Sequence, residues 1–228
     1  MSQRNTWEKE YRKPKLLTKD SKPRKDVVSF LRFLRKEKKV TLNNLDVLDI
    51  GSGVGQNSNY LAHFGNRVVG MEISPTAIKS AKENAKGSNL EVRYLEADIG
   101  KTYPFKDEAF DIVIDSISSN SLSGKERKVY LEEVFRVLKS NGWFFVKAFC
   151  KDGDSNARGL LKKYPAGEKD TYVIKEMNLK ERCFSRDDFI STYERCFNIE
   201  VMKKKTNYYR FDGRSYKRNY WIVYMTKK

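Results

Sequence analysis

One histidine and three cysteines in 228 residues leave little for two large classes of chemistry. Cys150, Cys183 and Cys196 form an odd, unpatterned set that, with one histidine, supports neither a disulfide framework nor a Cys/His metal centre. No metal is expected. No apolar run approaches the ~20 residues that a bilayer span requires, and the polar start Met1-Ser2-Gln3-Arg4 lacks the apolar core of a secretion signal. The expectation is a cytoplasmic protein without a membrane partner. Acidic residues are scarce as well, and their scarcity is uneven. Residues 1–42 carry 14 Lys/Arg against 5 Asp/Glu, residues 43–149 carry 13 against 14, and residues 150–228 carry 19 against 11. A near-neutral centre thus lies between two basic flanks, which suits an acidic partner or substrate, or serves solubility. The length fits one domain.

What is present centres on Val47-Leu48-Asp49-Ile50-Gly51-Ser52-Gly53-Val54-Gly55-Gln56-Asn57, an apolar run that breaks into three alternate glycines and resumes as a helix. Glycines let backbone approach a ligand closely, and a helix start offers free N–H groups with partial positive charge. A nucleotide bearing a negative or carboxylate group is implied. A dinucleotide loop of the form Gly-x-Gly-x-x-Gly would need glycine at position 56, where Gln56 stands. About twenty residues on, Arg67-Val68-Val69-Gly70-Met71-Glu72 reads as a second buried strand closed by a carboxylate. Such a group suits a ribose diol and excludes a 2′-phosphate.

These residues resemble the class I, Rossmann-like S-adenosylmethionine-dependent methyltransferases. The resemblance rests on Asp49-x-Gly51-x-Gly53-x-Gly55, on Glu72 closing strand two, and on Glu96-Ala97-Asp98-Ile99, and it spans roughly residues 40 to 150. It implies an α/β fold: a single domain with a seven-stranded, mostly parallel sheet of order 3-2-1-4-5-7-6 and helices on both faces. It implies S-adenosylmethionine as cofactor, S-adenosylhomocysteine as product, and cofactor contacts from Asp49, Gly51, Ser52, Gly53, Gly55, Glu72, Ile73, Asp98, Ile99, Asp115 and Ser116. A Trp-Glu-x-x-Tyr segment similar to Trp7-Glu8-Lys9-Glu10-Tyr11 folds over the cofactor in many small relatives, so Trp7 and Tyr11 join that set. The other reading of Trp7 is a staple onto the core, and that of Asp98 a helix or turn cap.

Residues 1–39 read as a cap segment and an opening helix, with Ser21 and Pro23 at its start and Val27, Phe30, Leu31 and Leu34 at helical spacing. Residues 40–228 form the methyltransferase domain. Ser74-Pro75 begins a helix to about Lys86, and Gly87 ends it. Leu90–Leu95 is strand three, Phe110–Asp115 strand four, and Trp143–Phe149 strand five, after a helix over Gly124–Leu138 that stops at Ser140-Asn141-Gly142. Residues 150–184, polar and glycine-bearing, read as a lid or substrate insertion. Ser185-Arg186-Asp187-Asp188 leads a helix to about Arg195. Strand six is Asn198–Lys203 and strand seven Tyr220–Thr226. In the family the last strand inserts antiparallel between five and six, which puts residues 208–218 at the mouth of the site.

Methyl transfer from a sulfonium needs chiefly a positioned nucleophile, and a base only when the acceptor is protonated. Asp115, at the carboxyl end of strand four, is the first candidate for a residue near the reacting methyl, or else a cap for the next helix. Ser119, Asn120, Tyr209, Arg210, Arg214 and Tyr216 are the candidate acceptor contacts. Asp115-Ser116-Ile117-Ser118 stands where amino-methylating nucleic-acid enzymes keep Asp/Asn-Pro-Pro-aromatic, and the Pro-Cys pair of cytosine C5 enzymes is missing. His63 and Cys150 are read as incidental. The interleaved Arg, Lys and Tyr of the last hairpin suit RNA or an acidic metabolite, or simply pack across strands. The acceptor is expected to be an O, N or S nucleophile on a small acidic molecule. RNA or protein methylation is the alternative, and a nucleic-acid-binding protein without turnover the further one. A nicotinamide-dependent oxidoreductase is disfavoured by Gln56.

Overall fold

Strand β1, Asp46–Ile50, sits in the middle of the sheet, and its side chains alternate between two cores. Leu48 and Ile50 face one side, Val47 the other. A computed structural model describes residues 3–14, 22–211 and 214–228, apart from the side chains of residues 209–211 and 214. The strands that follow are β2 (Arg67–Glu72), β3 (Val92–Glu96), β4 (Phe110–Ser116) and β5 (Leu138–Cys150), all parallel to β1. Two long strands, β8 (Phe197–Phe211) and β9 (Arg214–Lys227), complete the sheet, with β9 antiparallel to β5. The order is β3-β2-β1-β4-β5-β9-β8. This is the expected order, renumbered because a separate hairpin of β6 (Thr171–Ile174) and β7 (Leu179–Arg182) precedes the last two strands.

Helices cover both faces because each carries one apolar stripe. On one side α2 (Lys25–Glu37) buries Val27, Phe30, Leu31 and Leu34, and α3 (Gln56–Ala62) buries Leu61. Phe30 meets Phe145 and Tyr224 with ring centroids 5.4 and 4.9 Å apart. On the other side lie α5 (Gly124–Val137), through Tyr130, Val134 and Val137, and α7 (Arg186–Tyr193), through Phe189 and Tyr193. Between them in sequence come α4 (Pro75–Gly87) and α6 (Ser155–Lys163), and α1 (Arg4–Arg12) opens the chain.

Several boundaries differ from expectation for local reasons. Arg24 stands at the N-cap of α2, one turn later than expected, and Ser21 lies outside the described residues. α5 does not stop at Ser140–Gly142 but hands over to β5 at Leu138, where the β4 pairing shifts register between Phe110 and Ile112. Residues 150–184 fold as α6, capped by Asp154 on Ala157 N–H at 2.8 Å, and the β6–β7 hairpin, with Tyr172 and Phe184 buried.

The largest correction concerns residues 208–218, expected as a turn over the site. Pairing continues past Cys150↔Asn219 through Asn207↔Arg218 to Phe211↔Arg214, so the described residues of the segment form a ladder of paired strands. At ~3.4 Å per residue its end stands roughly 17 Å beyond the last β5 pair. Tyr216 pairs with Tyr209 in this ladder and is not among the residues that line the cavity at the carboxyl ends of β1, β2 and β4. The side chains of Tyr209, Arg210 and Arg214 lie outside the described residues. No described helix is long and apolar enough to cross a membrane.

Candidate functional site

The carboxyl ends of β1, β2 and β4 open into a cavity of about 520 Å³, a volume suited to a nucleotide-sized ligand. Its floor is the loop from Gly51 to Gly55, whose glycines have φ of +64°, +55° and +83°. All three are required by space as well as by φ, Gly55 because a Cβ there would run into the Tyr94 hydroxyl. A Cβ on Gly51 would run into the Ser118 side chain, and one on Gly53 would stand 2.7 Å from the Tyr11 hydroxyl. The loop backbone is therefore bare where a ligand would lie.

Glu72 closes β2 and organises the wall beside this loop. Its carboxylate accepts from the N–H groups of Gly53 at 3.0 Å, Ile73 at 2.8 Å and Ser74 at 2.9 Å. Burial pushes its pKa up against the opposing pull of those N–H groups. Ser52 and Ser116 also line the cavity, and their buried hydroxyls have no partner. Buried polar atoms without partners in a cavity wall are places a polar ligand completes.

The roof is α1. Trp7 and Tyr11 line the cavity from above, and burial pushes the Tyr11 hydroxyl pKa well up. Glu8, between them, points the other way. It accepts from Ser74 Oγ and Thr76 Oγ1, both at 2.6 Å, and so caps α4. Farther along, Lys180 N–H donates to Gln3 Oε1 at 3.0 Å, which ties the roof to β7.

Of the residues expected at the cofactor, Trp7, Tyr11, Gly51, Ser52, Gly53, Glu72, Ile73, Asp98, Ile99 and Ser116 line the cavity. Asp98 also accepts from Gly100 N–H at 2.9 Å, so its turn-capping reading holds beside the other. Asp49, Gly55 and Asp115 do not line it. Asp49 is buried and accepts from Ser58 Oγ at 2.6 Å, which ties β1 to α3. Burial raises its pKa to about 7. Gly55 caps α3 in a left-handed conformation beneath the loop.

Asp115, the expected catalytic residue, is fully buried. Its oxygens accept from Tyr130 Oη at 2.6 Å and from the N–H groups of Ser118 at 2.8 Å and Ser119 at 3.3 Å. One oxygen accepts from the 3-10 turn Ser118–Ser121 and the other from that turn and from Tyr130 on α5, so the capping reading is the one the geometry supports. Ser119 and Asn120 are buried in that turn and do not reach the cavity either. Burial pushes the Cys150 thiol up to about 11, which keeps it protonated and unreactive.

Sequence reasoning missed Arg24, the one cation among the described lining residues. It stands at the N-cap of α2, and its N–H donates to Asn57 Oδ1 at 3.0 Å beside the glycine loop. No motif marks it, because the contact is made by folding α2 against α3.

Residues 48–146 match the methyltransferase-domain family. The chain carries a methyltransferase domain, and its relatives and structural neighbours support S-adenosylmethionine-dependent methyltransferase activity. The methyltransferase is 27% identical over 136 residues to an uncharacterized methyltransferase of Schizosaccharomyces pombe, a match covering 60% of this chain and 90% of that one. It is 28% identical over 148 residues to the chloroplastic tocopherol O-methyltransferase of Arabidopsis thaliana, covering 64% of this chain and 41% of the relative. Among solved structures, the 1,6-didemethyltoxoflavin-N1-methyltransferase of Burkholderia thailandensis, with its substrate and S-adenosylhomocysteine bound, superposes with a TM-score of 0.72 at 16% identity, covering 99% of this chain and 87% of that one.

S-adenosylmethionine is the cofactor of this methyltransferase, and the cavity fits it. The bare glycine loop, the two unpartnered serine hydroxyls and the carboxylate of Glu72 supply a close backbone approach, polar partners and a diol acceptor. The residues that would hold the cofactor are Glu72 at a ribose diol, Arg24, the one cation among the described lining residues, at a carboxylate, and Ile73 and Ile99 against a base.

Proposed function

We propose that this methyltransferase acts on an O, N or S nucleophile of a small molecule bearing an acidic group. The observation that carries the reading is the roof. α1 is pinned to α4 by Glu8 and to β7 by Gln3, so a fixed helix stands over the glycine loop, an arrangement that suits a small acceptor better than a polymer. The tocopherol enzyme named above acts on a small molecule, in keeping with this, and the basic flanks favour an acidic one.

When bound, the cofactor supplies an electrophilic methyl group with a neutral thioether as its leaving group. The chain's own residues position and enclose. Glu72 and the Gly51–Gly55 loop fix one partner, while Trp7 and Tyr11 exclude water from above. None of these residues is placed to take a proton. Asp115 is engaged and buried, and burial drives the Tyr11 hydroxyl away from ionisation at neutral pH. The acceptor atom therefore arrives with a free lone pair, as a thiolate, a carboxylate or an uncharged nitrogen does.

A second reading has its own observation. Tyr208, 71% exposed, stands on the projecting hairpin near Lys203 and Lys204, a surface that suits stacking and phosphate contacts with RNA. Incubating the protein with methyl-labelled cofactor and fractionated cell extract separates the two. Label in anionic small solutes supports the first reading, and label in RNA replaces it with the second.

A further inference from the structure

Arg127 is a cation in the wrong place for a structural role. It lies on the first turn of α5, only 2% exposed, and donates through Nη2 to Leu122 O at 3.1 Å. Its Nε and Nη1 have no partner, and no described carboxylate stands within ion-pair distance of it. Guanidinium does not escape such a position by losing its proton, as lysine can. Of the groups that act on it electrostatically, burial keeps Tyr193 and Tyr130 protonated, and Asp115 has its oxygens committed to Tyr130 and the Ser118 and Ser119 N–H groups.

Its surroundings repeat the pattern. Arg182 lies over the same Phe184 ring, with guanidinium carbons 5.1 Å (Arg127) and 4.5 Å (Arg182) from the centroid. Asp188 pairs with Arg182 Nη2 at 2.8 Å, but Arg182 Nε has no partner. The 3-10 turn that packs on β7 adds two buried groups without partners, Ser121 Oγ and Asn120 Nδ2. Every one of these orphaned atoms is able to donate a hydrogen bond. A set of buried donors with one uncompensated positive charge is complementary to an anion with several acceptor oxygens.

The cluster adjoins the cofactor cavity. Ser121, Leu122 and Glu126 line that cavity, Arg127 follows Glu126 on the helix, and its one hydrogen bond is to Leu122. We infer that Arg127, Arg182 and the Ser118–Ser121 turn form an oxyanion subsite that holds the carboxylate or phosphate of the methyl acceptor. The inference rests on the small-molecule reading above and specifies it: the acidic group anchors behind the turn while the nucleophile faces the cavity. Arg127 thereby acts as a specificity-determining residue, with no part in proton transfer.

The test uses the full chain, inorganic phosphate as probe at constant ionic strength, and Arg127→Met, Arg127→Lys and Ser121→Ala beside the wild type. Calorimetry is expected to show phosphate binding to the wild type, weakened ~10-fold or more by Arg127→Met and less by Ser121→Ala, since a charge-assisted hydrogen bond outweighs a neutral one. Arg127→Met is also expected to melt no lower than the wild type without phosphate, because it removes an uncompensated charge and keeps the volume. Equal phosphate affinity in wild type and Arg127→Met overturns the subsite. So does an Arg127→Met that fails to fold while Arg127→Lys binds phosphate as the wild type does.

Transfer of label from methyl-labelled cofactor into anionic metabolites separates the two sources of the oxyanion. A fall of ~10-fold or more with Arg127→Met supports an acceptor-borne group. Unchanged transfer with phosphate binding lost means that a free anion occupies the subsite, and overturns the acceptor assignment. S-adenosylhomocysteine affinity, measured in the same preparations, is expected to stay unchanged in Arg127→Met. Its absence from the wild type would indict the methyltransferase reading instead.

Discussion

Glu8 on α1 accepts two hydrogen bonds of 2.6 Å, from Ser74 Oγ and Thr76 Oγ1, and so closes the first turn of a helix 66 residues away in sequence. The roof of the cofactor cavity is thus fastened to the floor through the cap of α4. These bonds outweigh the cost of burial and bring the Glu8 pKa down to about 2. A carboxylate with a depressed pKa contributes stability that is present above its unfolded value and lost only as pH falls through the folded one. The roof is therefore expected to stay fastened at pH 5 and to release as pH approaches 2. Glu8→Ala is expected to weaken S-adenosylhomocysteine binding about 10-fold at neutral pH, with a small change in the urea midpoint, because it frees α1 and leaves the core packed. Calorimetry and denaturation on the same variant check both.

Gly51 tests the floor. Its φ of +64° and the Ser118 side chain where a Cβ would stand oppose any substitution. Gly51→Ala is expected to cost roughly 2–4 kcal/mol of stability, from overpacking together with left-handed strain. Adding Ser118→Gly removes the clash and leaves the left-handed strain of about 1–2 kcal/mol, together with loss of the Ser118 Oγ hydrogen bond to Ile50 O at 2.9 Å. Urea denaturation of the single and double variants separates the two contributions.

Asp49 gives the protein a pH dependence of opposite sign to that of Glu8. Burial lifts its pKa to about 7, well above the usual carboxylate range. The folded state then holds a proton that the unfolded state has lost, so this group lowers stability as pH rises from about 4 to about 7. Asp49→Asn, which keeps an oxygen for Ser58, is expected to flatten that fall. Melting temperatures of both proteins across pH 4–8 show whether the two curves diverge with rising pH.

Asp115 separates positioning from proton transfer. Its oxygens hold Tyr130 and the Ser118–Ser119 backbone, so Asp115→Asn is expected to cost about 2 kcal/mol of stability. It also loosens the turn above β4. The pH profile of kcat, measured once an acceptor is in hand, is expected to keep its shape. Loss from that profile of the acidic limb, where kcat rises with pH, would restore Asp115 as the base.

Much of this was legible in the sequence, for identifiable reasons. The glycine loop and Glu72 were readable because their function is local: three backbone positions and one strand end, in fixed spacing. The sheet order followed from alternating strands and helices together with the family resemblance. What escaped was non-local. Arg24 and Arg127 carry no motif, and each gains its meaning from elements brought against it by folding. The end of β4 misled for the same reason, since nothing in Asp115-Ser116-Ile117-Ser118 shows that Tyr130 reaches across from α5. The hairpin misled because glycine, aspartate and arginine near its tip read as a loop, whereas Asn207–Phe211 and Arg214–Arg218 complete a ladder of main-chain bonds.

The central claim is that Glu72 and the Gly51–Gly55 loop hold S-adenosylmethionine beneath α1. Titrating S-adenosylhomocysteine into the wild type and Glu72→Ala by calorimetry tests it most directly. The account predicts wild-type binding within the ~1 μM–1 mM range common for enzyme ligands, and a loss of about 10-fold or more in Glu72→Ala with the fold retained by circular dichroism. No heat at millimolar ligand, or equal affinity in the two proteins, would contradict it.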